Sequence, residues 1–95
     1  MADKMYVGDI GTEFLINSLS DLTGATVTNI LVKKPGIDEI EEWEGTVENI
    51  SYVSFITVDG SLSVKGNYKA QLYIELPNWT GMGETFEFEV FAPFK

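Results

Sequence analysis

Between Asn67 and Leu76 the chain alternates without a break. Tyr68, Ala70, Leu72, Ile74 and Leu76 fall on one face, and Asn67, Lys69, Gln71, Tyr73 and Glu75 on the other. A period of two belongs to a half-buried strand, whereas a helix would repeat its apolar residues every 3–4 positions. At about 3.3 Å per residue the strand reaches roughly 33 Å, the full height of a small sandwich. A second alternation runs from Glu84 to Phe91, with Phe86, Phe88 and Val90 opposite Thr85, Glu87 and Glu89. The intervening Pro77-Asn78-Trp79-Thr80-Gly81-Met82-Gly83 is rich in turn residues, so the two strands read as an antiparallel hairpin with a long loop.

Weaker strand signals precede this hairpin. Gly11 to Asn17 sets Phe14 and Ile16 against Glu13 and Leu15. Thr26 to Lys34 points Ile30 and Val32 inward and stops at Pro35-Gly36. Ile40 to Val47 carries Trp43, Gly45 and Val47 on one face, and Tyr52 to Val58 stops at Asp59-Gly60. Leu62-Ser63-Val64 offers a short edge segment. β-Branched and aromatic residues dominate the apolar set, and helical spacing is weak throughout. The expectation is one all-β domain over residues 1–95, with Met1 to Lys4 frayed: a two-sheet antiparallel sandwich of about seven strands. Its expected core is Phe14, Ile30, Val32, Trp43, Phe55 or Ile56, Tyr68, Leu72, Ile74, Phe86, Phe88 and Val90.

What the chain lacks narrows its chemistry. It has no Cys, so packing rather than disulfides or a thiolate zinc site must hold the fold. It has no His, the side chain that titrates near neutral pH unperturbed, and no Arg to grip phosphate or carboxylate in a fork. Triads and metal sites built on Cys or His are thereby excluded within one chain, and the expectation is a non-enzyme with no cofactor. A lysine-assisted serine nucleophile, Lys65 or Lys69 beside Ser61 or Ser63, is the weak alternative. Fifteen acids against six lysines give a net charge of -9, which disfavours nucleic acid and anionic membranes and favours a partner with basic residues.

The opening Met1-Ala2-Asp3-Lys4 lacks the charged and apolar regions of a signal peptide, and no apolar run reaches the roughly 20 residues of a membrane span. Asn49-Ile50-Ser51 and Asn78-Trp79-Thr80 match the glycosylation triplet by chance on this reading.

The densest charge feature is Asp38-Glu39-Ile40-Glu41-Glu42-Trp43-Glu44, with Glu48 beyond. A cation site would need oxygen ligands folded around an ion, and the pattern fits a solvated edge strand better. Trp43 alternates into the interior. Trp79 lies among turn residues, where it either anchors a partner or folds back over the sandwich end. Met82 and Phe94, the latter beyond the last strand, complete the set of interface candidates.

Gly66-Asn67-Tyr68 opening a long alternating strand, with a partner strand ending in Phe88-Glu89-Val90, resembles the closing hairpin of many immunoglobulin-like domains. Further stretches are similar to small tail, baseplate or decoration proteins of bacteriophages and prophages, including the amino-terminal domains of baseplate upper proteins. These are Tyr6-Val7-Gly8-Asp9-Ile10-Gly11-Thr12, Val32-Lys33-Lys34-Pro35, Trp43-Glu44-Gly45-Thr46-Val47, and Tyr73-Ile74-Glu75-Leu76-Pro77 with Gly83-Glu84-Thr85. The resemblance implies an immunoglobulin-like structural protein of a virion, present in many copies and bound to other virion proteins as a free-standing adaptor or decoration subunit. It carries over no catalytic or metal-binding residues. A carbohydrate- or ligand-binding module using Trp79 is the alternative from a different class.

Overall fold

The computed structural model describes residues 4–94 and contains only strands and turns among them. The two alternating segments pair as a hairpin longer than their pattern predicts. In chain order the strands are β1 (Met5–Tyr6), β2 (Glu13–Asn17), β3 (Val27–Lys33), β4 (Ile40–Glu44), β5 (Thr46–Glu48), β6 (Tyr52–Ile56), β7 (Gly66–Leu76) and β8 (Trp79–Phe91). Two sheets form, one of order β1-β8-β7-β3-β4 and one of order β2-β6-β5. The architecture is all-β and two-layered. The larger sheet is mixed, because β1 runs parallel to the end of β8, with Met5 opposite Val90 and Tyr6 opposite Phe91.

The expected long loop from Pro77 to Gly83 does not exist. Leu76 already faces Trp79, Ile74 faces Gly81 and Tyr73 faces Met82, so only Pro77 and Asn78 lie between the strands. The pairing then slips: Gln71 faces Thr85, which leaves Gly83 and Glu84 together opposite Leu72. This is a β-bulge, and it shifts the inward parity of β8 by one residue. Trp79, Gly81 and Gly83 point inward before it, and Phe86, Phe88 and Val90 after it. The Gln71 side-chain amide donates to the Gly83 carbonyl at 2.8 Å and ties off the bulged backbone.

The expected strand from Ile40 to Val47 is broken at Gly45 into one strand for each sheet. The Gly45 N–H donates to the Thr28 carbonyl at 3.0 Å, and the Thr28 hydroxyl donates to the Gly45 carbonyl at 3.1 Å. A Cβ at Gly45 would collide with Val53 Cγ1 and lie 2.7 Å from the Thr28 oxygen, so the chain crosses between layers where only glycine fits.

The core follows the alternation of β3 and β7. Ile30, Val32, Tyr68, Ala70, Leu72 and Ile74 are buried, and Val53 and Val90 close the layer. Trp43 stacks on Phe55 at 4.7 Å between centroids, Phe14 lies 4.9 Å from Phe88, and Phe88 lies 5.1 Å from Tyr68. Offset and tilted pairs of this kind add about 0.5–1.5 kcal/mol each beyond the area they bury. Of the two inward options on β6, Phe55 packs on the core and Ile56 faces solvent. Two loop residues, Leu22 and Leu62, plug opposite ends of the sandwich, each about 1% exposed. Leu62 does so from a turn and not from the edge strand expected over Leu62 to Val64. Beside it the Tyr68 hydroxyl is bonded to the backbone of Val64.

Candidate interaction surfaces

Lys34 is buried, 3% exposed. Its ammonium donates to the Gly60 carbonyl and to Ser63 Oγ, both at 2.8 Å, and forms an ion pair with Glu41 at 2.8 Å. All three donors are in use, which is why a lysine tolerates burial here. Ser63 therefore meets Lys34, not Lys65 or Lys69. An ammonium so committed has no lone pair with which to take a proton from the serine. Ser61 Oγ accepts the Val58 N–H at 3.0 Å and shapes the turn. The cluster fastens the end of β3 to the β4 edge and to the turn around Leu62.

The acidic segment divides between the two faces of β4. Glu41 turns toward Lys34 and also accepts the Trp43 indole N–H at 3.1 Å, whereas Glu42 accepts the Asn29 side-chain amide at 2.9 Å on the outer face. Among the described residues no three such side chains converge on a point that could hold a metal ion. β4 is an edge strand of the larger sheet, and its carboxylates discourage pairing with another edge.

The three apolar interface candidates lie on three different surfaces. Trp79 sits at the first position of β8 on the inward face, beyond the reach of the shorter second sheet, and is 49% exposed. Its indole lies over Gly81: a Cβ there would come 2.6 Å from the ring, so the glycine makes room for it. Met82 has the opposite parity. It stands on the outer face, cross-strand from Tyr73 and 44% exposed, beside Leu31 and Ile40. Phe94 follows the far end of β8, four residues past the buried Val90, and is fully exposed. Thirteen residues of β8 separate the ends occupied by Trp79 and Phe94, about 40 Å at strand rise. No single patch unites them.

A further apolar surface escaped the sequence reading. Leu15, Ile56 and Val58 are each more than half exposed on or beside the outer face of the second sheet. The alternation of β2 and β6 assigns one apolar residue to each side at these positions, so the pattern cannot tell which side is covered. Leu15 also borders a groove of about 280 Å³ between β2 and β8, floored by Ile16, Leu72, Gly83 and Phe86.

Comparison of the chain with protein-family models, curated proteins and solved structures found no match.

Proposed function

We propose that this chain is a non-enzymatic assembly domain, an immunoglobulin-like sandwich that serves as an adaptor or decoration subunit of a bacteriophage virion. The observation that carries the assembly role is the number of large apolar side chains held at the surface of so acidic a chain. Trp79, Met82, Leu15, Ile56, Val58 and Phe94 are all between 44% and 103% exposed. Scattered apolar residues are normal on a surface, but Trp and Met in this setting are side chains that contribute strongly when a partner covers them. They occupy both sheet faces and both ends of the molecule, as a subunit contacted on several sides requires. Other virion proteins on a capsid, neck or tail are the proposed partners.

The immunoglobulin-like part of the reading is supported by the Gly66-x-Tyr68 opening of β7 and by the bond from Tyr68 back to Val64. A tyrosine hydroxyl bonded to backbone a few residues upstream is a recurrent corner in such sandwiches. The parallel β1 departs from an all-antiparallel plan. The virion assignment itself comes from the sequence resemblance.

One feature favours the second reading, a sugar- or ligand-binding module: the Trp79 ring packs against Gly81 and is 49% exposed. Stacking on such a face is how aromatic side chains hold sugar rings. A tryptophan-fluorescence titration across a glycan panel separates the two. Saturable quenching that disappears in Trp79→Ser supports the module, and no response leaves assembly as the role.

A further inference from the structure

The larger sheet is open along most of one side. β8 pairs with β7 over its whole length, but on its other side only Val90 and Phe91 have a strand partner, the two-residue β1. Among the described residues, no strand pairs with that side of β8 from Trp79 to Glu89. β2, the neighbouring strand of the second layer, is likewise paired on one side only, with β6. The two free edges face each other across the groove floored by Ile16, Leu72, Gly83 and Phe86. At its mouth stands Leu19, 79% exposed and held at a φ of 62°, with its N–H donated to Asn17 Oδ1 at 2.9 Å. A leucine rarely adopts this backbone conformation. The local hydrogen bond holds an apolar side chain beside an apolar slot.

From this geometry we infer that the open flank is a strand-acceptor site, filled by an extended segment of a partner protein that pairs with β8 and carries lysine or arginine on its outward face. An unpaired edge offers backbone donors and acceptors, and alternate side chains of an added strand reach the groove and the outer face in turn. The inward side chains must be apolar to lie on Leu72, Phe86 and Leu19. The outward ones come next to Glu87 and Glu89, which share the outer face of β8. On the β7 side Glu87 is cross-strand from Lys69 and accepts the Asn67 side-chain amide, while the acceptor flank itself carries no lysine. A second copy of this chain is the wrong occupant: pairing β8 with β8 would bring the same carboxylates onto one face of two bodies that each carry -9. The parallel pairing of β1 on the last two residues is the start of the same augmentation, made by the chain itself.

This inference names the partner class for the assembly role and rests on that reading. The test uses the whole chain with a short soluble peptide alternating Val and Lys, and with its Val and Glu counterpart, followed by amide hydrogen exchange and titration. The Val–Lys peptide should bind, slow exchange along Gly83 to Phe86, and bind more weakly as salt is raised. The Val–Glu peptide should not bind. Glu87→Lys should lower affinity for the Val–Lys peptide several-fold, and Leu19→Asp should do so while leaving the melting temperature near wild type. Equal binding of both peptides, no binding of either, or protection on β4 or β5 instead of β8 would overturn the inference. Such a failure leaves the assembly role standing if the chain is still found in particles; absence from particles counts against that role whatever the peptides do.

Discussion

The Tyr68 hydroxyl donates to the Val64 carbonyl at 2.6 Å and accepts the Val64 N–H at 3.1 Å, from a side chain with no exposed surface. This one residue closes the turn around Leu62, opens β7 and carries the ring on which Phe88 packs. Its position makes the end of the sandwich a fixed corner and not a loose connection.

Tyr68→Phe keeps the ring and removes the corner. Two part-buried backbone groups of Val64 lose their partner, so the variant should be about 1–3 kcal/mol less stable by denaturant unfolding. Burial holds the Tyr68 phenol above the ordinary tyrosine value, opposed more weakly by the Val64 N–H, and the bond to Glu75 raises Tyr73 as well. A phenol raised in the folded state keeps its proton there after the unfolded chain has lost it. The stability these groups contribute is therefore complete below about pH 10 and is lost as pH rises through the folded values. Unfolding titrations above that pH should show a shallower decline in Tyr68→Phe than in the wild type.

At Gly45 the chain leaves one sheet for the other. Gly45→Ala forces a methyl group against Val53 and the Thr28 carbonyl, and backbone cannot move as a flexible side chain can. A loss of about 1–3 kcal/mol or more is expected, read as a fall in melting temperature. An unchanged melting temperature would show that the crossing has room to spare.

Lys34→Met retains bulk but leaves the Gly60 carbonyl without its donor. Glu41, 44% exposed, can turn toward water, so the variant should lose about 1–3 kcal/mol and not the larger amount expected for a stranded buried charge. The double variant Lys34→Met with Glu41→Gln should be less destabilised than the two single effects added together.

Phe94 is fully exposed, and Trp79 is 49% exposed with its ring over Gly81. Phe94→Ser should melt with the wild type, and Trp79→Ser should fall only slightly, while either loses incorporation into particles if its side chain is covered by a partner. A large fall in melting temperature would make that residue part of the fold and withdraw it from the interface.

Much of this architecture is legible in the alternation of apolar residues, and the exceptions have physical causes. Tyr68 to Ile74 and Phe86 to Val90 read correctly because each inward residue is apolar or aromatic and its outward neighbours are mostly charged or polar. The first part of β8 does not, because the bulge at Gly83 and Glu84 changes parity midway and the glycines around Trp79 mimic a loop. Gly45 looks like another inward position, since a two-residue period cannot show a strand passing between layers. Lys34 gives no sign of burial, because two of its three partners, Gly60 and Ser63, come from a distant part of the chain. The exposure of Phe94 follows from its place after the last strand. That Trp79 and Met82 face opposite sides follows only from the hairpin register.

The central claim is that the chain is a component of a particle. Virions purified by density gradient and washed at high salt should contain it at a fixed ratio to the major structural proteins. A ratio that falls toward zero with washing, or a chain found only in the soluble fraction of the lysate, would contradict the account.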